Sequence, residues 1–142
     1  MKIFISCSKH FYDRVPDIKT ELENLGHGVQ LPNSFDRPFE ENEIKVRSLE
    51  EHIKFKAEMF KLSEEKIKKI DSLLILNFDK NSRIANNRNR NYIGGSVFLE
   101  IYEAWKLEKK IYLYNPIPEN IFKDELIGMS PIVIYGDLTK IK

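Results

Sequence analysis

Two apolar runs, joined by a small-residue turn and a helix, restrict this chain more than any other feature. Ser72-Leu73-Leu74-Ile75-Leu76-Asn77-Phe78 and Lys110-Ile111-Tyr112-Leu113-Tyr114 are short and rich in branched and aromatic residues, with little polar alternation. Runs of this kind are strands covered on both faces, as in a parallel sheet between helix layers. Between them Gly94-Gly95-Ser96 opens a helix expected from about Ser96 to Lys109, with Phe98, Ile101, Ala104 and Trp105 as its packing face. A strand, a helix and a second strand form a crossover, which is right-handed when the strands are parallel. Ligands of open parallel sheets bind outside the carboxyl ends of the strands. The turn at 94–96 and the first turns of the helix after it are therefore where a site is expected.

The rest of the chain repeats the pattern. Lys2-Ile3-Phe4-Ile5-Ser6 reads as the first strand. Phe11, Val15, Ile18, Leu22 and Leu25 then recur at spacings of four, three, four and three, which is one face of a helix. Pro16 fits only near the start of that helix, and Gly26 sits where a left-handed C-terminal cap belongs. Val29-Gln30-Leu31 is a short second strand stopped by Pro32, and 32–46, with no clear period, reads as a loop. A long helix is expected from about Arg47 to Ile70, with Leu49, Ile53, Phe60, Ile67 and Ile70 roughly on one side and charged residues on the other. An irregular loop is expected over 79–93, a short helix over 120–127 and a last strand over 131–135, ended by Gly136. The alternation predicts an α/β fold, a flavodoxin-like three-layer sandwich with a five-stranded parallel sheet in the order 2-1-3-4-5. No repeat or linker divides it, so 1–142 is expected to be a single domain.

Lysine and arginine number 23 against 22 acidic residues, so the net charge is +1. That balance argues against a polymeric nucleic acid as partner, though a nucleotide needs only a local site. The single cysteine, Cys7, allows no disulfide within the chain. No stretch approaches the roughly 18 apolar residues of a membrane span, and the N-terminus lacks a signal-peptide pattern. A cytoplasmic protein with no membrane partner is the expectation. His10, His27 and His52 lack metal-ligand spacing, so no metal site is expected.

Several residues stand out as candidates. Ser6-Cys7-Ser8-Lys9-His10 flanks the same crevice as residue 96, and its hydroxyls and free N–H groups suit a phosphate; the competing account is that Ser8 only caps the next helix. Gly94 and Gly95 let a ligand approach the backbone closely, or make a plain turn, and Ser96 caps the helix or bonds a ligand. Glu100 follows a hydrophobic run on a largely apolar helix, so it either needs a partner or a purpose there or faces solvent beside Glu103. Asp79, at the carboxyl end of the third strand, is placed to reach a ribose or base, whereas Asp71 lies at the opposite end. Tyr92, beside the glycine pair, is placed to stack on a base. Lys80, Arg83, Arg88 and Arg90 lie in the loop at 80–91, read as a solvated loop in preference to a lid over an anion.

Taken together, the opening Lys2-Ile3-Phe4-Ile5-Ser6-Cys7-Ser8, the strand Asp71-Ser72-Leu73-Leu74-Ile75-Leu76-Asn77 and the stretch from Gly94 to Ile111 resemble the nucleoside 2-deoxyribosyltransferase-like superfamily. Asn91-Tyr92-Ile93-Gly94-Gly95 and Asn115-Pro116-Ile117-Pro118-Glu119 resemble a distinct branch of it. The resemblance implies that Glu100 is a nucleophile that attacks the anomeric carbon of a nucleoside or nucleotide and carries the sugar until water or a second base takes it. It implies sugar or phosphate binding by Ser6, Ser8 and Ser96, no cofactor, and a homo-oligomer. The chain also departs from the family. Ser96 and Phe98 stand where glycines are usual, so Phe98 is placed to narrow or close the sugar pocket. The aspartate of the helix before the third strand has no clear match, since Ser63, Glu64 and Glu65 occupy its neighbourhood.

Two other readings share these residues. A TIR-like NAD-cleaving domain has a similar fold, first strand and serine-preceded helix glutamate, but its usual tryptophan just before the glutamate motif is missing. A non-catalytic nucleotide-binding module would follow if Phe98 filled the pocket, because the fold alone does not fix function.

Overall fold

The computed structural model describes residues 1–80 and 89–142. Strand β1 (Lys2–Ser6) leads through a 3₁₀ turn (Lys9–Arg14) into α1 (Val15–Asn24). Strand β2 (Gly28–Gln30) is followed by α2 (Glu40–Arg47) and α3 (Leu49–Lys68). Then come β3 (Ser72–Ile75), α4 (Gly95–Lys106), β4 (Lys110–Leu113), α5 (Lys123–Gly128) and β5 (Ile132–Val133). The strands form one sheet in the order β2-β1-β3-β4-β5, and each pairing is parallel. This is the α/β three-layer arrangement and strand order that the alternation predicts.

Strand geometry divides the core in two, because successive side chains point to opposite faces. Ile3, Ile5, Leu74 and Tyr112 meet Val15, Ile18 and Leu22 of α1 on one face. Phe4, Leu73, Ile75, Ile111 and Leu113 meet Ile67 of α3, Val97, Ile101 and Ala104 of α4, and Leu126 of α5 on the other. Ser6 shares the parity of Phe4, which is the α3–α4 side of the sheet. Among the described residues, no helix is long and apolar enough to cross a membrane.

Helix ends follow their capping chemistry. Gly26, at φ 90°, ends α1 with Gly26 N–H bonded to the Glu23 carbonyl and His27 N–H to the Leu22 carbonyl, the paired bonds of a Schellman cap. Helix α4 uses the same cap without a glycine. Glu108 adopts φ 56°, and the N–H groups of Glu108 and Lys109 bond the Trp105 and Ala104 carbonyls. The helix therefore stops at Lys106, short of the expected Lys109.

Other expectations need correction. The stretch 32–46 contains most of α2, which buries no residue and so left no apolar period to read. The long helix starts at Leu49, because Ser48 is extended and its Oγ accepts from Glu51 N–H at 3.2 Å. Leu49, Ile53 and Phe60 are exposed, while Phe55 and Ile67 are buried. A helix of this length spans about 30 Å and a four-residue strand about 13 Å, so only part of the apolar stripe meets the sheet. Trp105 is likewise exposed; its ring stacks on Tyr102 with centroids 5.9 Å apart, and Val97 takes its place in the core. The β3 ladder ends at Ile75, although residues through Phe78 stay buried.

Candidate functional site

A cleft of about 540 Å³ opens beyond the carboxyl end of β1 and the start of α4. The segment after β1, residues 33–34 after β2, one face of α3 and residues 94–97 form its walls, and Glu100 lies within it. Glu100 is on the second turn of α4, and its side chain is reached from two other elements. Ser6, the last residue of β1 and fully buried, donates from Oγ to Glu100 Oε1 at 2.7 Å. Ser63 of α3 donates from Oγ to Oε2 at 2.8 Å. Asn33 Nδ2 in turn donates to Ser63 Oγ at 2.7 Å and to the Met59 carbonyl at 3.3 Å.

Burial pushes the Glu100 carboxyl above its ordinary range. The Ser6 and Ser63 hydrogen bonds and the Lys66 and Lys56 ammoniums pull it back without cancelling that effect. None of these lysines is within ion-pair distance of it; Lys66 Nζ instead donates to the Leu31 carbonyl at 3.1 Å. Among the described residues, the side chain is thus held by two hydroxyls and has no ion-pair partner.

Cys7 also lines the cleft, but burial, with the charge of Glu100 adding to it, pushes its thiol up to about 12. It is a thiol at neutral pH and not a nucleophile. Burial likewise raises the Tyr12 phenol, so it presents a neutral hydroxyl to the cleft.

The cleft wall carries both signs of charge, with Lys9, Lys56 and Lys106 beside Glu41, Glu64 and Glu103. Lys56 Nζ donates to Ser96 Oγ at 3.1 Å and lies 3.4 Å from Glu41 Oε1. Burial raises the Glu41 carboxyl, but its hydrogen bond to His52 and the charge of Lys56 outweigh that and leave it lowered. Lys9 Nζ donates to Asn42 Oδ1 at 3.0 Å. Helix α2 is therefore tied across one side of the cleft by polar contacts from Glu41 and Asn42.

Of the residues singled out in the sequence, Ser8, Tyr92, Gly94, Gly95, Ser96 and Glu100 line this cleft. Ser6 lies beneath it, with its hydroxyl committed to Glu100. Ser8 also caps the 3₁₀ turn, accepting from His10 N–H at 3.4 Å. Ser96 does not cap α4, since Gly94 is the cap residue and its backbone is extended. Gly94 has a steric reason: a Cβ there would lie 3.0 Å from the Tyr92 hydroxyl oxygen. Asp79 is elsewhere, its Oδ1 accepting from Asn91 N–H at 3.0 Å, where it anchors a backbone turn at φ 49°. Lys80 lies over the Tyr92 ring at 4.7 Å, while Arg83 and Arg88 fall outside the described residues.

Phe98 does not close the pocket. Its ring stacks on Phe122 at 4.3 Å between centroids and is absent from the cleft wall. Two residues apart on a helix means about 200° of rotation, so Phe98 and Glu100 point to opposite sides. Asn33 and Ser63 join the site as partners that no pattern in the sequence marks. Position after β2 is the one signal for Asn33, because β2 borders β1 and its carboxyl end opens on the same crevice.

No protein-family model matches the sequence, and no curated protein matches it. Solved structures do. The chain is similar to the CMP N-glycosidase BcmB of Clostridium botulinum, with a TM-score of 0.53 and 16% identity over 96% of this chain and 91% of that one. It is similar to a 2-deoxyribosyltransferase of Bacillus psychrosaccharolyticus, with a TM-score of 0.56 and 20% identity over 94% of this chain and 85% of that one. At these identities the likeness is one of fold: this chain has the α/β architecture of those two structures.

Proposed function

We propose that this protein cleaves or transfers the N-glycosidic bond of a nucleoside or nucleotide, with Glu100 as the nucleophile. The observation that carries the reading is the Glu100 carboxylate, seated in a roomy cleft and held by Ser6 and Ser63, with no cation in ion-pair contact among the described residues. Two structural neighbours, a CMP N-glycosidase and a 2-deoxyribosyltransferase, support the same chemistry.

In the first step a Glu100 oxygen attacks the anomeric carbon. The carbon–nitrogen bond breaks, its electron pair stays on the base nitrogen, and the base gains a proton from solvent. The sugar is then an ester of Glu100. Water attacks the same carbon in the second step, losing a proton and restoring the carboxylate; a second base in place of water gives transfer. The two hydroxyl donors steady the carboxylate for attack and, as the ester breaks, receive the returning charge. Ser8, Ser96, Lys9 and Lys56 offer hydroxyls and positive charge to the sugar or an attached phosphate, and Tyr92 offers an aromatic face to the base.

Chromatography of free base released from ribo- and deoxyribonucleosides, their monophosphates and NAD tests this. Release by the wild type from nucleosides or monophosphates, falling roughly a thousandfold or more in Glu100→Gln, is the expected result. Equal rates in a folded Glu100→Gln refute the nucleophile. Nicotinamide release from NAD alone would favour the TIR-like reading. No release from any substrate would favour a binding module.

A further inference from the structure

The Asn33 side chain holds an expense that its surroundings do not repay locally. Its Oδ1 is buried with no hydrogen-bond partner among the described residues, which costs stability. The amide nitrogen shows what the orientation achieves. Nδ2 donates both to Ser63 Oγ and to the Met59 carbonyl. Turned over, the amide would set its oxygen against that carbonyl, acceptor to acceptor, and offer the Ser63 proton a second place to go. A serine hydroxyl has one proton. With Asn33 donating to its oxygen, the Ser63 proton is committed to Glu100 Oε2 at 2.8 Å.

We propose that Asn33 and Ser63 form a two-link relay that fixes the direction of the hydrogen bond on Oε2 and so holds Glu100 as an oriented carboxylate. Both are positioning residues, acting through Glu100. The proposal rests on the reading of Glu100 as the reacting group. The relay joins three separate segments, the one after β2, α3 and α4, and so makes the carboxylate's setting depend on how they pack. Lys56 and Lys66 of α3 also act on Glu100, and Glu100 in turn acts on Cys7 and Tyr12 from the segment after β1. Glu41, Glu64 and Glu103 line the same cleft. Variants must leave these in place.

The test is the titration of the Glu100 side-chain carboxyl carbon by NMR in ¹³C-glutamate-labelled protein, assigned with Glu100→Gln, alongside the pH dependence of base release. Ser63→Ala removes the donor, and Asn33→Asp supplies an acceptor that draws the Ser63 proton away. Ser63→Thr keeps the hydroxyl. Glu100 should titrate higher in the first two than in the wild type and unchanged in Ser63→Thr. The acid limb of kcat should move with it, and kcat at neutral pH should fall about tenfold with KM nearly constant. A folded Ser63→Ala with wild-type titration overturns the relay. A shift in Ser63→Ala but none in a folded Asn33→Asp removes Asn33 from it. Where Asn33→Asp fails to fold, the contrast between Ser63→Ala and Ser63→Thr decides. The two readings fail separately: shifted titrations without turnover of any substrate uphold the relay and refute the glycosidic chemistry.

Discussion

Asn77 gives the sharpest test of how the sheet is finished above the site. It is fully buried, two residues beyond the last paired residue of β3. Its side chain replaces the ladder there: Nδ2 donates to the Asn115 and Pro116 carbonyls at 2.9 and 3.0 Å, and Oδ1 accepts from Asn115 N–H at 2.8 Å. Asn115 returns a bond from Nδ2 to the Asn77 carbonyl at 3.1 Å. Asn77→Ala removes three of these four contacts. Pro116 is exposed, so water can take over its carbonyl, whereas the two Asn115 backbone groups are less accessible. Two partly orphaned groups at about 1–2 kcal/mol each give a loss of about 2–4 kcal/mol. With a urea m-value of about 2 kcal/mol/M, the unfolding midpoint should fall by about 1–2 M. Asn24→Ala, at the exposed end of α1, is the control and should stay within about 0.5 kcal/mol of wild type. An Asn77→Ala loss no larger than the control's would refute the claim that this side chain stands in for the ladder.

Two further outcomes are expected. Glu108→Gly should stabilise the protein by about 1 kcal/mol in urea unfolding, because it removes the left-handed penalty at φ 56° from an exposed residue; a loss of stability would show that the Glu108 side chain contributes more than its backbone costs. Glu100→Gln should gain stability relative to wild type as the pH rises. Folding raises the Glu100 pKa above its ordinary 4.5, so the folded state favours the protonated form. Its contribution is fully present below 4.5 and is lost as pH rises through the folded value, while glutamine loses nothing. The difference between the two proteins should therefore widen from acid to neutral pH, and a constant difference would contradict the raised value.

What was legible in the sequence is what burial writes into residue types. Ile3, Phe4 and Ile5, and Leu73 to Leu76, are buried on both faces, so the runs are unbroken and the strands readable. The left-handed turn of α1 showed itself because Gly26 carries it. The equivalent turn at Glu108 did not, because a glutamate there tolerates the strain. Helix α2 buries nothing and left no period. The long helix had a true apolar stripe, yet Leu49, Ile53 and Phe60 overshoot the sheet; periodicity reports a face and not what the face meets. Asp79 stood at the right end of the right strand, but a nearby backbone N–H had first claim on its oxygen.

The polar cluster around Glu100 follows a different rule. Glu100 could be singled out because a carboxylate on an apolar helix is out of place, but its partners could not. Serine and asparagine are ordinary residues wherever they occur, and Ser6, Ser63 and Asn33 become exceptional only through a contact across 94, 37 and, between Asn33 and Ser63, 30 residues of sequence. The fold would be better served by apolar side chains in their place, since a cluster with an orphaned Asn33 oxygen and a desolvated Glu100 carboxylate carries two costs at once. Local rules broken together, on three elements facing one cleft, need a gain that stability does not supply. Under the reading proposed above, that gain is a carboxylate kept reactive, and the site is read from where the sequence departs from good packing.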